Sequence, residues 1–196
     1  GGDIKEMASF DFISYDLSIL TGQASLSLRK CSKPVIAMVN GAAAGAGCGI
    51  ALGADFRIMT EESCLLTAFS SVGLPGDTGC IYHLKQIVGL AKTIELMALS
   101  PRIYGKEAFR LGLTTRLAPD GKLEEETQAF AEKLLRRPLS ALALQKQLYY
   151  EVFYHDYMAY SRLEAENLAK AGASTDHREA VTAFIEGRKP VFNQKN

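Results

Sequence analysis

No apolar run in this 196-residue chain approaches the ~20 residues a helix needs to cross a bilayer; stretches such as Pro34 to Val39 and Ile50 to Leu52 fall far short. Nor is there an excess of either charge, since 22 Lys and Arg cancel 22 Asp and Glu. Without a global positive field, neither nucleic acid nor an anionic membrane is expected as a partner, and an anionic ligand has to be met locally. The four cysteines, Cys31, Cys48, Cys64 and Cys80, form no C-x-x-C pair. They read as small, reduced core residues of a soluble, cytoplasmic protein. His83, His155 and His177 are scattered, with no carboxylate or cysteine at ligand spacing, so no metal is implied. Nothing like a signal peptide follows the first residue, and that residue is Gly rather than Met, so a preceding segment is expected.

What is present is a core-forming composition, 47% apolar, in two textures. From Lys33 to about Thr67, β-branched runs (Pro34 to Val39, Phe56 to Met59) alternate with Gly/Ala-rich turns, as buried strands joined by a short helix require. From Leu84 onward the spacing turns helical: Ile87, Leu90, Ile94, Met97 and Ala98 recur at threes and fours and stop before Pro101. Further helices are expected over Lys106 to Leu111, Glu124 to Leu135, Ala141 to Ala171 and Asp176 to Glu186, the last capped by Ser174 or Thr175. The class is α/β. Residues 1–115 are expected to form the core and 116–196 a helical region.

The most informative segment is Val39-Asn40-Gly41-Ala42-Ala43-Ala44-Gly45-Ala46-Gly47-Cys48-Gly49. A strand runs into a loop almost without side chains, then into a helix whose first turn offers unpaired N–H groups. Close packing of helix on strand also calls for such residues. Among ligand-binding uses, a P-loop needs Gly-Lys-Ser/Thr after its glycines, and here Cys48-Gly49 follows, with no Lys before Lys85. A dinucleotide fold needs G-x-G-x-x-G, whereas Gly45, Gly47, Gly49 and Gly53 are spaced two, two and four. The remaining use is an oxyanion site, where each N–H held to a polarised carbonyl contributes about 3 kcal/mol. Ser70 and Ser71 lack a G-x-S-x-G setting, against a nucleophile-elbow hydrolase.

Three motifs in order, Gly1-Gly2-Asp3-Ile4-Lys5-Glu6-Met7, Pro34 to Asp55, and Gly73-Leu74-Pro75-Gly76-Asp77-Thr78-Gly79, together with the ending Asp176 to Phe192, resemble the crotonase (enoyl-CoA hydratase/isomerase) superfamily over nearly the whole chain. The resemblance implies a ββα spiral followed by a helical trimerisation region, with strands in front of the first motif. It implies an acyl-CoA thioester as ligand, coenzyme A being part of the substrate and no separate cofactor being needed. The oxyanion donors would be the N–H groups of Gly2 and Ala46. Asp3, Ile4, Lys5 and Lys189 are candidates for holding coenzyme A, with Arg136, Arg137 and Arg188 as further cations for its phosphate.

Two departures bear on the chemistry. Hydratases of this family carry glutamates at the positions of Gly49 and Phe69, and both are absent here. Activating water and protonating a carbanion takes a base and an acid, so hydration is disfavoured. The carboxylate left is Asp77, at a position resembling that of double-bond-shifting members such as the epoxyphenylacetyl-CoA isomerases. Gly-Asp-Thr-Gly is also good turn chemistry regardless of catalysis. On the isomerase reading Phe69, Phe10 and Gly49 line the pocket, and an apolar wall raises the proton affinity of Asp77. Hydratase or lyase chemistry, and a non-catalytic crotonase-fold binding protein, are the alternatives.

The expected helix from Ala141 to Ala171 carries Leu144, Leu148, Tyr149, Val152, Phe153, Tyr157 and Tyr160, more apolar surface than one stripe uses. Burial within its own domain and a subunit interface both account for this. The resemblance implies a homotrimer or dimer of trimers, with Tyr157 expected at the interface.

Overall fold

The computed structural model describes residues 2–7 and 13–193. A short helix α1 (Ile4–Met7) precedes α2 (Tyr15–Lys30), whose N-terminus is capped by the Ser14 hydroxyl accepting from the Leu17 N–H. There follow β1 (Ile36–Val39), β2 (Ala42–Ala44), α3 (Ala46–Gly53), β3 (Phe56–Met59), β4 (Cys64–Leu66), a 3-10 turn at Ser70–Val72 and α4 (Cys80–Leu99). Then come β5 (Ile103–Tyr104), α5 (Gly105–Arg110), β6 (Arg116–Leu117), α6 (Leu123–Leu135), α7 (Leu139–Phe153), α8 (Tyr157–Gly172) and α9 (Thr175–Glu186).

The strands pair between successive turns of the chain rather than within them. In one sheet β1, β3 and β6 lie in order, parallel throughout, with Ile36 opposite Phe56 and Ile58 opposite Arg116. In the other, β2 pairs parallel with β4, Ala42 opposite Cys64, and β4 antiparallel with β5. A strand, a strand and a helix thus recur as a unit, each unit stacking on the one before, which is a ββα spiral. Leu52, Met59, Leu65, Phe69, Cys80 and Leu84 fill the space between the sheets and α3 and α4. Arg57, buried on β3, donates to the carbonyls of Ala54 (2.8 Å) and Leu113 (2.5 Å), closing the end of α3 that would otherwise have unpaired acceptors.

The helical expectations are corrected in two places. Helix α4 begins at Cys80 rather than near Leu84 and breaks at Gly89, where φ is +76°. Beyond that break Leu90 and Ile94 face solvent while Leu96 is buried, so the regular spacing does not mark one continuous buried stripe. The single long helix expected from Ala141 to Ala171 is two, α7 and α8, separated at Tyr154–Asp156 without Gly or Pro. Tertiary partners replace the missing helical bonds: the Tyr82 hydroxyl lies 2.7 Å from the Phe153 carbonyl and 2.5 Å from the Asp156 carboxylate, and the Gln86 amide also donates to Phe153. Ser174, not Thr175, caps α9, its hydroxyl accepting from the His177 N–H at 3.1 Å. Of the cysteines, Cys48, Cys64 and Cys80 are buried and Cys31 is exposed; all four are free.

α8 lies across α2 through small residues. A Cβ on Gly22 would stand 2.3 Å from the Ser161 hydroxyl, so the helices approach only because that side chain is absent. No helix among the described residues is long and apolar enough to cross a membrane.

Candidate active site

The loop expected between the first strand and the short helix is in part a second strand, β2, and the turn proper is confined to Gly45. Gly45 has φ +54° and ψ −121°, a conformation costly for a side-chain-bearing residue, and it redirects the strand into the helix within one residue. Ala46, as the first residue of α3, has an N–H with no acceptor in the helix. It is half-buried, and the Phe69 ring packs beside Gly45, 3.8 Å from where a Cβ would be.

Asp77 is brought to this turn by its neighbour. The Thr78 hydroxyl lies 3.2 Å from the Ala46 carbonyl oxygen and 2.7 Å from that of Asp77. Thr78 adopts φ +56°, a left-handed conformation that is strained for a β-branched residue and is held by the packing around it. Its hydroxyl occupies the space next to Gly49: a Cβ there would be 1.9 Å from Thr78 Oγ1. No side chain of any length fits at position 49 with Thr78 in place.

The Asp77 carboxylate is tied at one oxygen only. Oδ1 accepts from the Thr21 hydroxyl of α2 (2.7 Å) and from the Thr78 N–H (2.6 Å). Oδ2 has no donor among the described residues and is not sealed from solvent. Burial pushes the acid above the ordinary carboxylate range, and the Thr21 and Thr78 hydrogen bonds oppose that rise.

A second carboxylate, unforeseen in the sequence, lies behind the first. Glu164 of α8 is 8% exposed; its Oε2 accepts from the Gly79 N–H (2.9 Å) and its Oε1 from the Tyr160 hydroxyl (2.6 Å). Burial, with the Asp77 charge adding to it, pushes the acid up to about 7 against those two hydrogen bonds. Gly79, at φ +70°, admits no substitute, because a Cβ would lie 2.1 Å from the Tyr157 hydroxyl. The signal for Glu164 was its place on the helix face Tyr157, Ser161, Glu164, Ala165 and Leu168, where a carboxylate shares a buried stripe. Thr21 carried no comparable signal.

The other expected residues are placed as follows. Gly2 is exposed, in a segment whose helix α1 packs on α9. The Asp3 carboxylate accepts from the Lys5 N–H at 2.8 Å, Ile4 is half-buried, and Lys5 and Lys189 are exposed. Arg188 is engaged with Glu179 and Glu186, both at 2.5 Å, and Arg136 lies 3.9 Å from Glu132. Phe69 is buried in the core with its ring beside Gly45, and Phe10 lies outside the described residues. A cavity of about 330 Å³ lies against a different face of α3, lined by Ala42, Gly47, Ile50 and Ala54 among others, and Asp77 does not border it. No cluster of three or more His, Cys, Asp or Glu side chains able to hold a metal occurs among the described residues.

A spiral of stacked ββα turns, with the β2–α3 turn tied to the Asp77 loop through the Thr78 hydroxyl, is the architecture to set beside known proteins. The profile of one family, enoyl-CoA hydratase/isomerase, matches residues 1–195. A probable enoyl-CoA hydratase of Rhodobacter capsulatus is 37% identical over 166 residues, covering 85% of this chain and 65% of that protein. The 1,2-epoxyphenylacetyl-CoA isomerase of Escherichia coli is 34% identical over 168 residues, covering 86% of this chain and 64% of the relative. The chain thus spans just under two thirds of the length of these relatives. The crystal structure of an enoyl-CoA hydratase from Mycobacterium avium subsp. paratuberculosis superposes with a TM-score of 0.87 at 28% identity, covering 92% of this chain and 74% of that one. This chain belongs to the enoyl-CoA hydratase/isomerase family, the crotonase superfamily, and has its fold.

Proposed function

We propose that the chain is an acyl-CoA isomerase that shifts a double bond through a thioester enolate, with Asp77 as the acid/base. The observation that carries this is the half-tied Asp77 carboxylate next to the Ala46 turn. Oδ1 is fixed by Thr21 and Thr78, so Oδ2 is the oxygen left to take a proton from Cα. As that C–H bond breaks, its electron pair flows into the thioester carbonyl, whose oxygen is held by the N–H groups of Ala46 and Gly2. The pair then returns through the former double bond, and Asp77 delivers the proton to Cγ. One carboxylate serves both transfers, and its raised proton affinity suits it to act as base and then acid.

Hydration needs a second carboxylate that reaches substrate. Position 49 has no room for one beside Thr78, Phe69 is core, and both oxygens of Glu164 are already engaged. Asp3, Ile4, Lys5 and Lys189 would hold coenzyme A, which enters as part of the substrate with no separate cofactor, in a cytoplasmic enzyme. Assembly into a homotrimer or dimer of trimers is supported by α7, where Leu148, Tyr149 and Val152 are 61%, 56% and 58% exposed.

The test is Asp77→Asn in the full protein with a 3-enoyl-CoA substrate. Turnover should fall by at least about 10²-fold with acyl-CoA binding preserved. Unchanged turnover overturns the assignment of Asp77, efficient conversion of 2-enoyl-CoA to the 3-hydroxyacyl product favours a hydratase, and absence of acyl-CoA binding at millimolar concentration favours a scaffold.

A further inference from the structure

Resting on the reading of Asp77 above, we propose that Thr21 is a positioning residue for its proton transfers: a hydroxyl on α2 whose single proton alternates between the Asp77 carboxyl and the main chain of its own helix, so that Oδ1 is held and Oδ2 is the oxygen that reacts. Two acceptors lie within reach of that proton. Thr21 Oγ1 is 2.7 Å from Asp77 Oδ1, on a turn 56 residues further along the chain, and 2.9 Å from the Ser18 carbonyl oxygen on α2 itself. A hydroxyl carries one hydrogen, so it donates fully to one of them at a time, and rotation about the Cβ–Oγ1 bond moves it between them without moving the side chain. The next carbonyl on α2, that of Gly22, accepts from the Tyr157 hydroxyl of α8 at 3.2 Å. The position of Thr21 is thus set by the packing of α2 on α8.

Which acceptor holds the proton follows the state of the carboxyl. An ionised Asp77 is the stronger acceptor, because a hydrogen bond to a charged oxygen is about twice as strong as one to a neutral carbonyl. The Thr21 proton then points to Oδ1, beside the Thr78 N–H at 2.6 Å, and Oδ2 is left for the substrate. Once Oδ2 has taken a proton, Oδ1 is a neutral carbonyl oxygen, and the Thr21 proton is free to turn back to Ser18, a local bond open to a threonine inside a helix. Neither form leaves the hydroxyl without an acceptor. Because the donor serves the ionised form more than the acid, it favours the base and opposes the rise that burial imposes on Asp77. Asp77 is in no ion pair among the described residues. The titratable groups around it are Cys80 of α4 and Tyr157 and Glu164 of α8, none of them a cation, and α2 meets it with the Thr21 hydroxyl.

The discriminating variant is Thr21→Val, which keeps the branched shape and removes the donor. With the full protein and a 3-enoyl-CoA substrate, KM should change by less than about twofold and kcat should fall about tenfold as the carboxylate loses its orientation. The acidic limb of the kcat profile should move up by about one pH unit, because the charged form of Asp77 has lost a donor. Thr21→Ser, which keeps the hydroxyl and loses the methyl, should return both limb and kcat to within about twofold of the wild type. In the wild type, the Thr21 Cβ resonance followed by 13C NMR should titrate with the same midpoint as the Asp77 carboxyl and lose that step in Asp77→Asn; this test requires neither turnover nor a folded Thr21→Val. A Thr21→Val profile superimposable on the wild type, a Thr21→Ser profile no better than that of Thr21→Val, or a Thr21 resonance indifferent to Asp77→Asn overturns the proposal. Full activity of Asp77→Asn would overturn the reading of Asp77 itself, a separate result.

Discussion

Helices α7 and α8 carry nearly the same kind of sequence and are used in opposite ways. α8 buries Tyr157, Ser161, Glu164, Ala165 and Leu168 against α2 and the Asp77 turn. α7 buries only Lys146, whose ammonium pairs with Asp55 (2.6 Å) and donates to the Lys33 carbonyl (2.9 Å), while Leu144, Leu148, Tyr149, Val152 and Phe153 face outward. An apolar stripe thus says that something is to be covered without saying by what. On α8 the cover is α2 and the turn that carries Asp77; on α7 a buried lysine and the bonds to the Phe153 carbonyl fix the helix and leave its apolar face free. The expectation that Tyr157 marks a subunit interface is corrected by this contrast, since its side chain is 0% exposed within one chain.

The contrast is broken most violently at Tyr157. Its ring packs edge-on against Tyr82 at 5.0 Å and stacks on His83 at 5.6 Å, and its hydroxyl donates to the Gly22 carbonyl. Tyr157→Asp puts an unpaired carboxylate there and should cost about 5 kcal/mol or more, enough to remove the cooperative thermal transition. Tyr157→Phe keeps the ring and should cost about 1 kcal/mol. A folded, merely monomeric Tyr157→Asp protein would show that α8 is no better covered than α7.

On α7 the equivalent lesion is Lys146→Ala. It strands the Asp55 carboxylate, leaving it the Arg29 guanidinium at 3.5 Å and the Val35 N–H at 2.8 Å. Breaking a buried pair from one side typically costs 3 to 5 kcal/mol, and the two remaining partners place this case at about 3. Denaturant unfolding reads the loss directly. If it is below about 1 kcal/mol, α7 is held chiefly by something other than Lys146, such as the bonds from Tyr82 and Gln86 to Phe153.

Much of this was legible in advance, and the division follows the physics. The sharp turn between β2 and α3 could be read because a run of Gly and Ala leaves the main chain free to take the conformation seen at Gly45, and the turn around Asp77 because Gly-Asp-Thr-Gly is a compact turn motif. The break between α7 and α8 was invisible: no residue at Tyr154–Asp156 forbids helix, and the termination comes from Tyr82 and Gln86, some seventy residues earlier, reaching the Phe153 carbonyl. Glu164 was missed for a related reason. Its place on the stripe of Tyr157, Ser161, Ala165 and Leu168 marks it for burial, but the partner that face meets, the Gly79 N–H, lies 85 residues away in sequence.

Glu164 also gives α8 a pH dependence that α7 lacks. Its folded acid is raised to about 7 from an ordinary 4.5, so the folded state holds the proton more tightly, and stability falls as pH rises through that window. His83, buried and lowered to about 3 by desolvation, acts the other way: stability rises as pH climbs from about 3 to its ordinary 6.5. The two slopes oppose one another between about 4.5 and 6.5. Glu164→Gln removes only the first, so its melting temperature should rise with pH where the wild type is nearly flat. The stability gap should approach about 2 to 3 kcal/mol by pH 8. Parallel pH profiles for the two proteins would show that Glu164 carries no such charge.

The smallest effect on stability is expected on the outer face of α7, and there the readout is assembly. Leu148 touches little within its own chain, so Leu148→Asp should change the unfolding free energy of a single subunit by less than about 0.5 kcal/mol. In an oligomer the same position would sit among Leu144, Tyr149 and Val152 of a contiguous apolar face, and a carboxylate there must be desolvated without a partner. Sedimentation of the wild type should then give a trimer or hexamer, and of Leu148→Asp a smaller species that is still folded by circular dichroism. Together with the Tyr157 variants this separates two kinds of burial: one chain completes the cover of α8, and several copies complete that of α7. A monomeric wild type, or an oligomer indifferent to Leu148→Asp, would leave the apolar face of α7 without this explanation and assign the contacts between subunits to another surface.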